Sequence, residues 1–304
     1  MIRSLRDVIK EQNIPYRESV SAKTLSTFRI GGIAPLVIEP QCANELINAV
    51  RLAYTHRVPF AVIGRGSNVL FGDESIQTVL IRTCAVDGVR HTKNGAIADC
   101  GVPIAGLSLA TARRGFADLC FACGIPGTLG GTLLMNAGAH GHSISELVRS
   151  VEVYLYEKDD IETWFNEQLN YSYRNSIFQT VKAVILSAEL VFQESAETEE
   201  ILSKISALRT ERALTQPTDQ PSAGSVFKRT EEHVPLSRIL DELGLKGLRV
   251  GGASVSQKHA GFIVNDSNAT AKDVKELIRL IQNIVEKERG IQPKPELRFI
   301  PTDT

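Results

Sequence analysis

Charge of one sign, long apolar runs and a disulfide framework are all missing from this 304-residue chain. Its 34 basic side chains stand against 35 acidic ones, a net charge of −1, which excludes the basic excess that phosphate neutralisation leaves on nucleic-acid binders. A local basic pocket for a small anion remains compatible with that balance. No stretch approaches the roughly 18 consecutive apolar residues that a membrane span needs. The opening MIRSLRDVIKEQN has no apolar signal core; it spaces Ile2, Leu5, Val8 and Ile9 along one face of a short helix. Five scattered cysteines, an odd number, fit a reducing compartment rather than paired disulfides. Cytoplasmic placement is therefore expected. No internal repeat and no low-complexity tract is present.

What is there suffices for a sizeable core: 43% of residues are apolar, and the length suggests two domains or three small ones. The first segment reads as strand Leu36–Glu39, a helix through Leu46, Ile47, Val50 and Ala53, then strands Phe60–Ile63 and Val79–Arg82. A second α+β unit follows: strand Ile97–Asp99, a helix over about Ile104–Arg113, a glycine-rich stretch Gly124–Gly141, alternating Val151, Val153 and Leu155, and the run Ala183–Phe192. A charged helix from Glu197 to about Ala213 leads into the turn-rich TQPTDQPSAGS. The last clear helix starts at Thr270 with Asp273 as a capping-box variant. It carries Val274, Leu277, Ile278, Ile281, Ile284 and Val285 as its apolar stripe and ends at Gly290.

Several short segments have chemistry in reach. Gly64-Arg65-Gly66-Ser67-Asn68 directly follows a strand, so successive amides and two side-chain donors are placed to cradle a pyrophosphate, or simply to turn the chain. The third glycine of a Rossmann fingerprint is absent and Val69-Leu70-Phe71 does not open a helix. In Gly124–Gly141 no Lys-Ser/Thr pair follows the glycines, which excludes a Walker loop; an extended ligand or a plain connection both fit. Cys120-x2-Cys123 with His140-x-His142 is rejected as a zinc site because the histidine spacing is too short. In YSYRNSIF, Arg174 sits among aromatics, suited to bidentate capture of a carboxylate or to plain surface stacking. Ser225, in PSAGSVFK, lacks the Gly-x-Ser-x-Gly elbow of a hydrolase nucleophile but offers a hydroxyl able to give up a proton. Lys258–Asn265 reads as a buried strand. Pro293-Lys294-Pro295 is a stiff turn ahead of another, with Glu296 at its start.

Taken in order, TLSTFRIGG at 24–32, GRGSNVL at 64–70, GIPGTLGG at 124–131 with MNAGAHG at 135–141, YRNSIF at 173–178, PSAGSVFK at 221–228, KHAGFIVN at 258–265 and PELR at 295–298 resemble the UDP-N-acetylenolpyruvoylglucosamine reductase family from about residue 24 to the end. The resemblance implies an α+β fold with an FAD-binding region of the vanillyl-alcohol-oxidase (PCMH) type, made of two α+β subdomains over 1–90 and 91–200. A C-terminal α+β substrate-binding domain would occupy 201–304. It implies non-covalent FAD, with NADPH as reductant, in bacterial peptidoglycan synthesis. Hydride from the reduced flavin N5 would reach the enolpyruvyl methylene carbon of UDP-N-acetylglucosamine enolpyruvate. A proton from Ser225 would complete UDP-N-acetylmuramate, with Arg174 polarising the carboxylate and Glu296 helping to stabilise the intermediate. Gly64, Arg65, Gly66, Ser67, Asn68 and Val69 would hold the cofactor pyrophosphate. Gly124, Ile125, Pro126, Gly127, Thr128, Gly130, Gly131, Asn136, Ala137, Gly138 and Gly141 would hold the rest of the cofactor, and Lys228 and His259 the UDP-sugar. No metal, nucleic acid or membrane is expected; oligomeric state is open, with a monomer the expectation. Two other readings stay in view: a flavin oxidase of the same fold, and a catalytically silent flavin- or nucleotide-binding protein.

Overall fold

Leu5 and Ile9, a turn apart on helix α1 (Ile2–Glu11), are both fully buried, so the amphipathic opening folds as its spacing predicts. The computed structural model describes residues 1–193 and 195–301. It divides into two units that the chain enters alternately. The first holds Met1–Glu18, Leu36–Arg65 and Val79–Glu211; the second holds Ser19–Pro35, Gly66–Thr78 and Arg212 onward.

Two sheets draw most of their residues from the first unit. In one, β1 (Tyr16–Ser21), β2 (Ile33–Ile38), β3 (Phe60–Ile63) and β5 (Val79–Arg82) lie in the order β1-β2-β5-β3. The three strands β2, β5 and β3 are parallel, and Phe60 to Ile63 pair with Val79 to Arg82. Helix α2 (Ala43–Thr55) makes the crossover and buries Leu46, Ile47, Ala49, Val50 and Ala53. The inner strand β5 is buried along Val79–Ile81, as parallel strands covered on both faces are, which is why VLI is a continuous apolar run; the edge strand β3 buries Ile63 and leaves Phe60–Val62 half-buried. The second sheet is antiparallel, in the order β11-β10-β12-β7-β6. It is built from β6 (Val89–Thr92), β7 (Gly95–Asp99), β10 (Val148–Leu155), β11 (Asp160–Phe165) and β12 (Ala183–Val191). Helices α3 (Ile104–Ala112) and α4 (Leu129–Leu134) and the hairpin β8 (Gly138–Ala139) and β9 (His142–Ser143) fill the connection from β7 to β10. Helix α5 (Thr198–Thr215) buries Ile201 and Ile205 against Ala112, Cys120 and Cys123. Those cysteines act as small apolar groups, and no metal-binding cluster occurs among the described residues.

The second unit has its own core around Phe28, Ile30, Leu70, Leu240, Ile263 and Ile281. Strand β4 (Val69–Phe71) pairs in parallel with β17 (Arg298–Ile300). A four-stranded sheet runs β13-β16-β15-β14, from β13 (Ser222–Ser225), β14 (Arg249–Val250), β15 (Ala253–Val255) and β16 (Phe262–Asn265). Helix α6 (Leu236–Glu242) and the long α7 (Ala271–Arg289) complete it. The expected cap of α7 forms in both directions: Asp273 N donates to Thr270 Oγ1 at 3.0 Å and Thr270 N to Asp273 Oδ2 at 2.9 Å. Gly290 ends the helix at φ 67°.

One expectation is corrected. Lys258–Asn265 is not one strand: only Phe262–Asn265 extends, because the Lys258 and His259 amides both turn back to Ser256 Oγ and Phe262 N closes on His259 O. The stretch Gly124–Gly141, for which the sequence predicts no element, contains α4, whose N-cap is Thr128.

Candidate active site

In the first unit the site begins where β3 ends. A Cβ added to Gly64 would lie 2.3 Å from Thr128 Oγ1, so the two glycine-rich segments meet here with no room for a side chain. At α4 the leading amides are already used: Leu129 N donates to Val102 O and Gly130 N to Cys100 O, both at 2.8 Å, and Gly131 N to Thr128 Oγ1 at 3.5 Å. The helix terminus is therefore not the anion site. The amides of Arg65, Gly127 and Thr128 are different, since they donate to no acceptor among the described residues. Backbone donors without partners need acceptors. An anionic dinucleotide laid against Gly64 and Thr128 would supply them, so these residues fit the cofactor that the motifs imply.

Farther along, Asn136, Gly138 and Arg174 come together. The Arg174 guanidinium donates through Nη1 to Asn136 O at 3.4 Å and through Nη2 to Gly138 O at 3.2 Å, and its carbon lies 5.3 Å from the Tyr173 ring centroid. Asn136 and Arg174 both hold left-handed backbone, at φ 41° and 53°. Such strain persists only where surroundings impose it. Here they do: Asn136 Nδ2 donates to Ser172 O at 3.0 Å, and Gln179 Nε2 donates to both Leu134 O and Arg174 O at 3.1 Å. Gln179 was not foreseen; its only sequence signal is a polar residue five positions beyond Arg174. Nor was Tyr171. Its hydroxyl is buried without a hydrogen-bond partner, and burial raises its pKa above the usual phenol range.

The second unit holds the remaining candidates. Between Ser222 and Ser225 the pairing of β13 with β16 slips, and Gly224 takes φ 78°. This is a bulge that needs glycine and re-aims the residue after it, Ser225. The Ser225 hydroxyl is half-buried and reaches Phe227 O at 3.4 Å. Past the bulge, Glu296 N donates to Val226 O at 2.7 Å and Lys228 N to Lys294 O at 3.0 Å, so backbone pairing sets Glu296 beside the serine segment. Asn68 closes the group, donating Nδ2 to Glu296 O at 3.2 Å and accepting from Arg298 N at 3.1 Å. His259 Nδ1 accepts from Gly261 N at 3.1 Å, which leaves Nε2 as the donor of a neutral ring; burial holds its pKa below the usual value of 6.5. The amides of Gly66, Ser67 and Asn68 have no acceptor among the described residues. Ser225, Glu296, Lys228 and His259 thus belong to the second unit and Arg174 to the first. A cleft of about 660 Å³ in the second unit, lined by Lys23, Arg29, Asn265 and Asp266 among others, contains none of these candidates.

Comparison with known proteins identifies the relatives of this chain. A family profile described as the C-terminal domain of UDP-N-acetylenolpyruvoylglucosamine reductase matches residues 216–300, and one described as an FAD binding domain matches residues 34–162. A UDP-N-acetylenolpyruvoylglucosamine reductase from Clostridium botulinum (strain Alaska E43 / Type E3) is 37% identical over 91% of this chain and 90% of its own length. Its counterpart in Caldanaerobacter subterraneus subsp. tengcongensis is 36% identical over 99% and 98%. The crystal structure of the same reductase (MurB) from Thermus caldophilus superposes with a TM-score of 0.76 at 29% identity, covering 95% of this chain and 99% of that one.

Proposed function

The chain belongs to the UDP-N-acetylenolpyruvoylglucosamine reductase family, and we propose that it reduces UDP-N-acetylglucosamine enolpyruvate to UDP-N-acetylmuramate in peptidoglycan synthesis. Bound FAD supplies the hydride, drawn from NADPH. Gly64 to Val69 and the Gly124–Gly141 segment hold this cofactor through Gly127, Thr128 and their neighbours. Arg174 binds the substrate carboxylate with its planar fork, so that charge building there on reduction is met by a fixed cation. Ser225 gives its hydroxyl proton to the carbon next to that carboxylate, and Glu296 stabilises the charge that precedes the transfer. Lys228 and His259 bind the UDP-sugar. We assign residues 1–90 and 91–200 to the cofactor and 201–304 to the substrate, and the protein to the bacterial cytoplasm as a monomer.

The observation that carries the reading is the 2.7 Å backbone bond from Glu296 N to Val226 O, which sets the Glu296 main chain against the residue that follows Ser225, a serine re-aimed by a glycine bulge. An oxidase or a silent binding protein gives that pairing no task. The test is to incubate the protein with NADPH and the enolpyruvyl substrate in deuterated water and analyse the product by mass spectrometry. Deuterium at the carbon beside the carboxylate is expected in the wild type; absence of reduced product rejects the function.

A further inference from the structure

At the carboxyl end of the parallel sheet in the first unit sits a cation with no assigned task. Arg82 is the last residue of β5 and pairs in register with Ile63, the residue before Gly64. Its guanidinium is half-buried, and its Nε is buried with no hydrogen-bond partner. Buried donors of this kind are rare and call for an acceptor. The protein offers a poor one: Cys84, two residues on, places a thiol beside Arg82, and sulfur accepts weakly.

The nearby carboxylate is largely taken. Glu39, directly after β2, receives both fork nitrogens of Arg17, Nε at 2.8 Å and Nη2 at 2.7 Å. Arg82 is left a single bond from Nη1 at 3.2 Å to an oxygen that Arg17 already shares. Arg17 and Arg82 therefore exceed the one charge of Glu39. Arg65, on the loop after β3, adds another exposed cation that makes no hydrogen bond or ion pair among the described residues. Burial raises the pKa of the Cys84 thiol while the charges of Arg82 and Arg65 both act to lower it, so both cations lie within electrostatic reach of that thiol. Open sheets of parallel strands bind ligands beyond the carboxyl ends of the strands. This is where Glu39, Gly64 and Arg82 lie.

We propose that Arg82 is a cofactor-binding residue: with Arg65 it takes the diphosphate of the dinucleotide lying on the loop after β3, and Glu39 acts as the residue that positions it. A diphosphate supplies the anionic acceptors that a guanidinium fork with one unused, buried N–H requires. The inference rests on the flavin reading of the same site and adds a residue that no motif marks.

The experiment is an FAD titration of the full-length protein freed of flavin, followed by flavin fluorescence at several salt concentrations. Arg82→Gln and Arg65→Ala are each expected to raise Kd by about 10-fold or more and to make FAD affinity less sensitive to salt, because a screened charge contact has been lost. Unchanged affinity in Arg82→Gln overturns the proposal. So does weakened affinity that keeps the wild-type salt dependence, which marks a structural role. If Arg82→Gln does not fold, Arg82→Lys retains the pair with Glu39 but lacks the fork, and a several-fold loss is expected; wild-type affinity there overturns the proposal equally. Wild-type protein that binds no FAD instead rejects the flavin reading beneath it.

Discussion

Ser225 is placed by its neighbours: a glycine bulge on one side, and on the other Val226, whose carbonyl accepts from Glu296. Replacing Ser225 by Ala leaves that backbone in place and removes only the hydroxyl. Flavin reduction by NADPH should then be unchanged while reoxidation by the enolpyruvyl substrate slows by about 10²-fold or more, the scale of general acid catalysis. Stopped-flow measurement of the two half-reactions separates them, and equal slowing of both counts against the role. Arg174→Lys should lose activity for a different reason. A lysine cannot span both Asn136 O and Gly138 O or present a fork to a carboxylate. His259 carries a pH signature. Burial lowers its pKa below 6.5 in the fold, so the unfolded chain takes up this proton first as pH drops. Stability should therefore decline as pH falls below about 6.5 until the folded pKa is passed. Thermal melts across that range should show a shallower decline in His259→Gln.

Among the elements, α7 gives the cleanest test of local logic. Its first turn is closed by Thr270 and Asp273, and Asp73 adds bonds to the Ala271 and Lys272 amides at 2.7 and 3.0 Å. Thr270→Ala should cost about 1 kcal/mol in denaturant unfolding, the usual worth of such a cap. A Gly64→Ala change should cost more than its small size suggests, because the new methyl displaces Thr128, the N-cap of α4, and weaker FAD binding should accompany the loss. Elements with long periodic patterns were legible in the sequence. The stripe from Val274 to Val285 records one face packed on a core, and the alternating Val151, Val153 and Leu155 of β10 are all buried, with Tyr154 between them buried as well. Helix α4 was not legible, since LGGTLL has low helix propensity and holds its shape through Thr128 and the carbonyls of Cys100 and Val102. The false strand at Lys258–Gly261 failed for a related reason: one side chain, Ser256, captures two amides and turns the chain before it can extend.

At the scale of the whole molecule, two cores form from interleaved segments: Ser19–Pro35 and Gly66–Thr78 join Arg212 onward rather than their sequence neighbours. No local pattern announces this, because it depends on pairings such as β4 with β17, more than 200 residues apart. For the same reason the motifs marked Ser225, Arg174 and Glu296, whereas Gln179 and Arg82 became visible only through their hydrogen bonds and burial. Thiol chemistry should follow burial across the fold. Cys42 is exposed and should react readily with an alkylating reagent. Cys120 and Cys123 are buried and Cys100, pushed up to about 12 by burial, is also held neutral, so these should react only on unfolding. The central claim is a two-stage exchange through one flavin, and an anaerobic absorbance titration tests it most directly. NADPH should bleach the bound flavin, and UDP-N-acetylglucosamine enolpyruvate should then restore the oxidised spectrum without oxygen. A flavin that recovers only on admission of air, or protein that carries no flavin, would contradict the account.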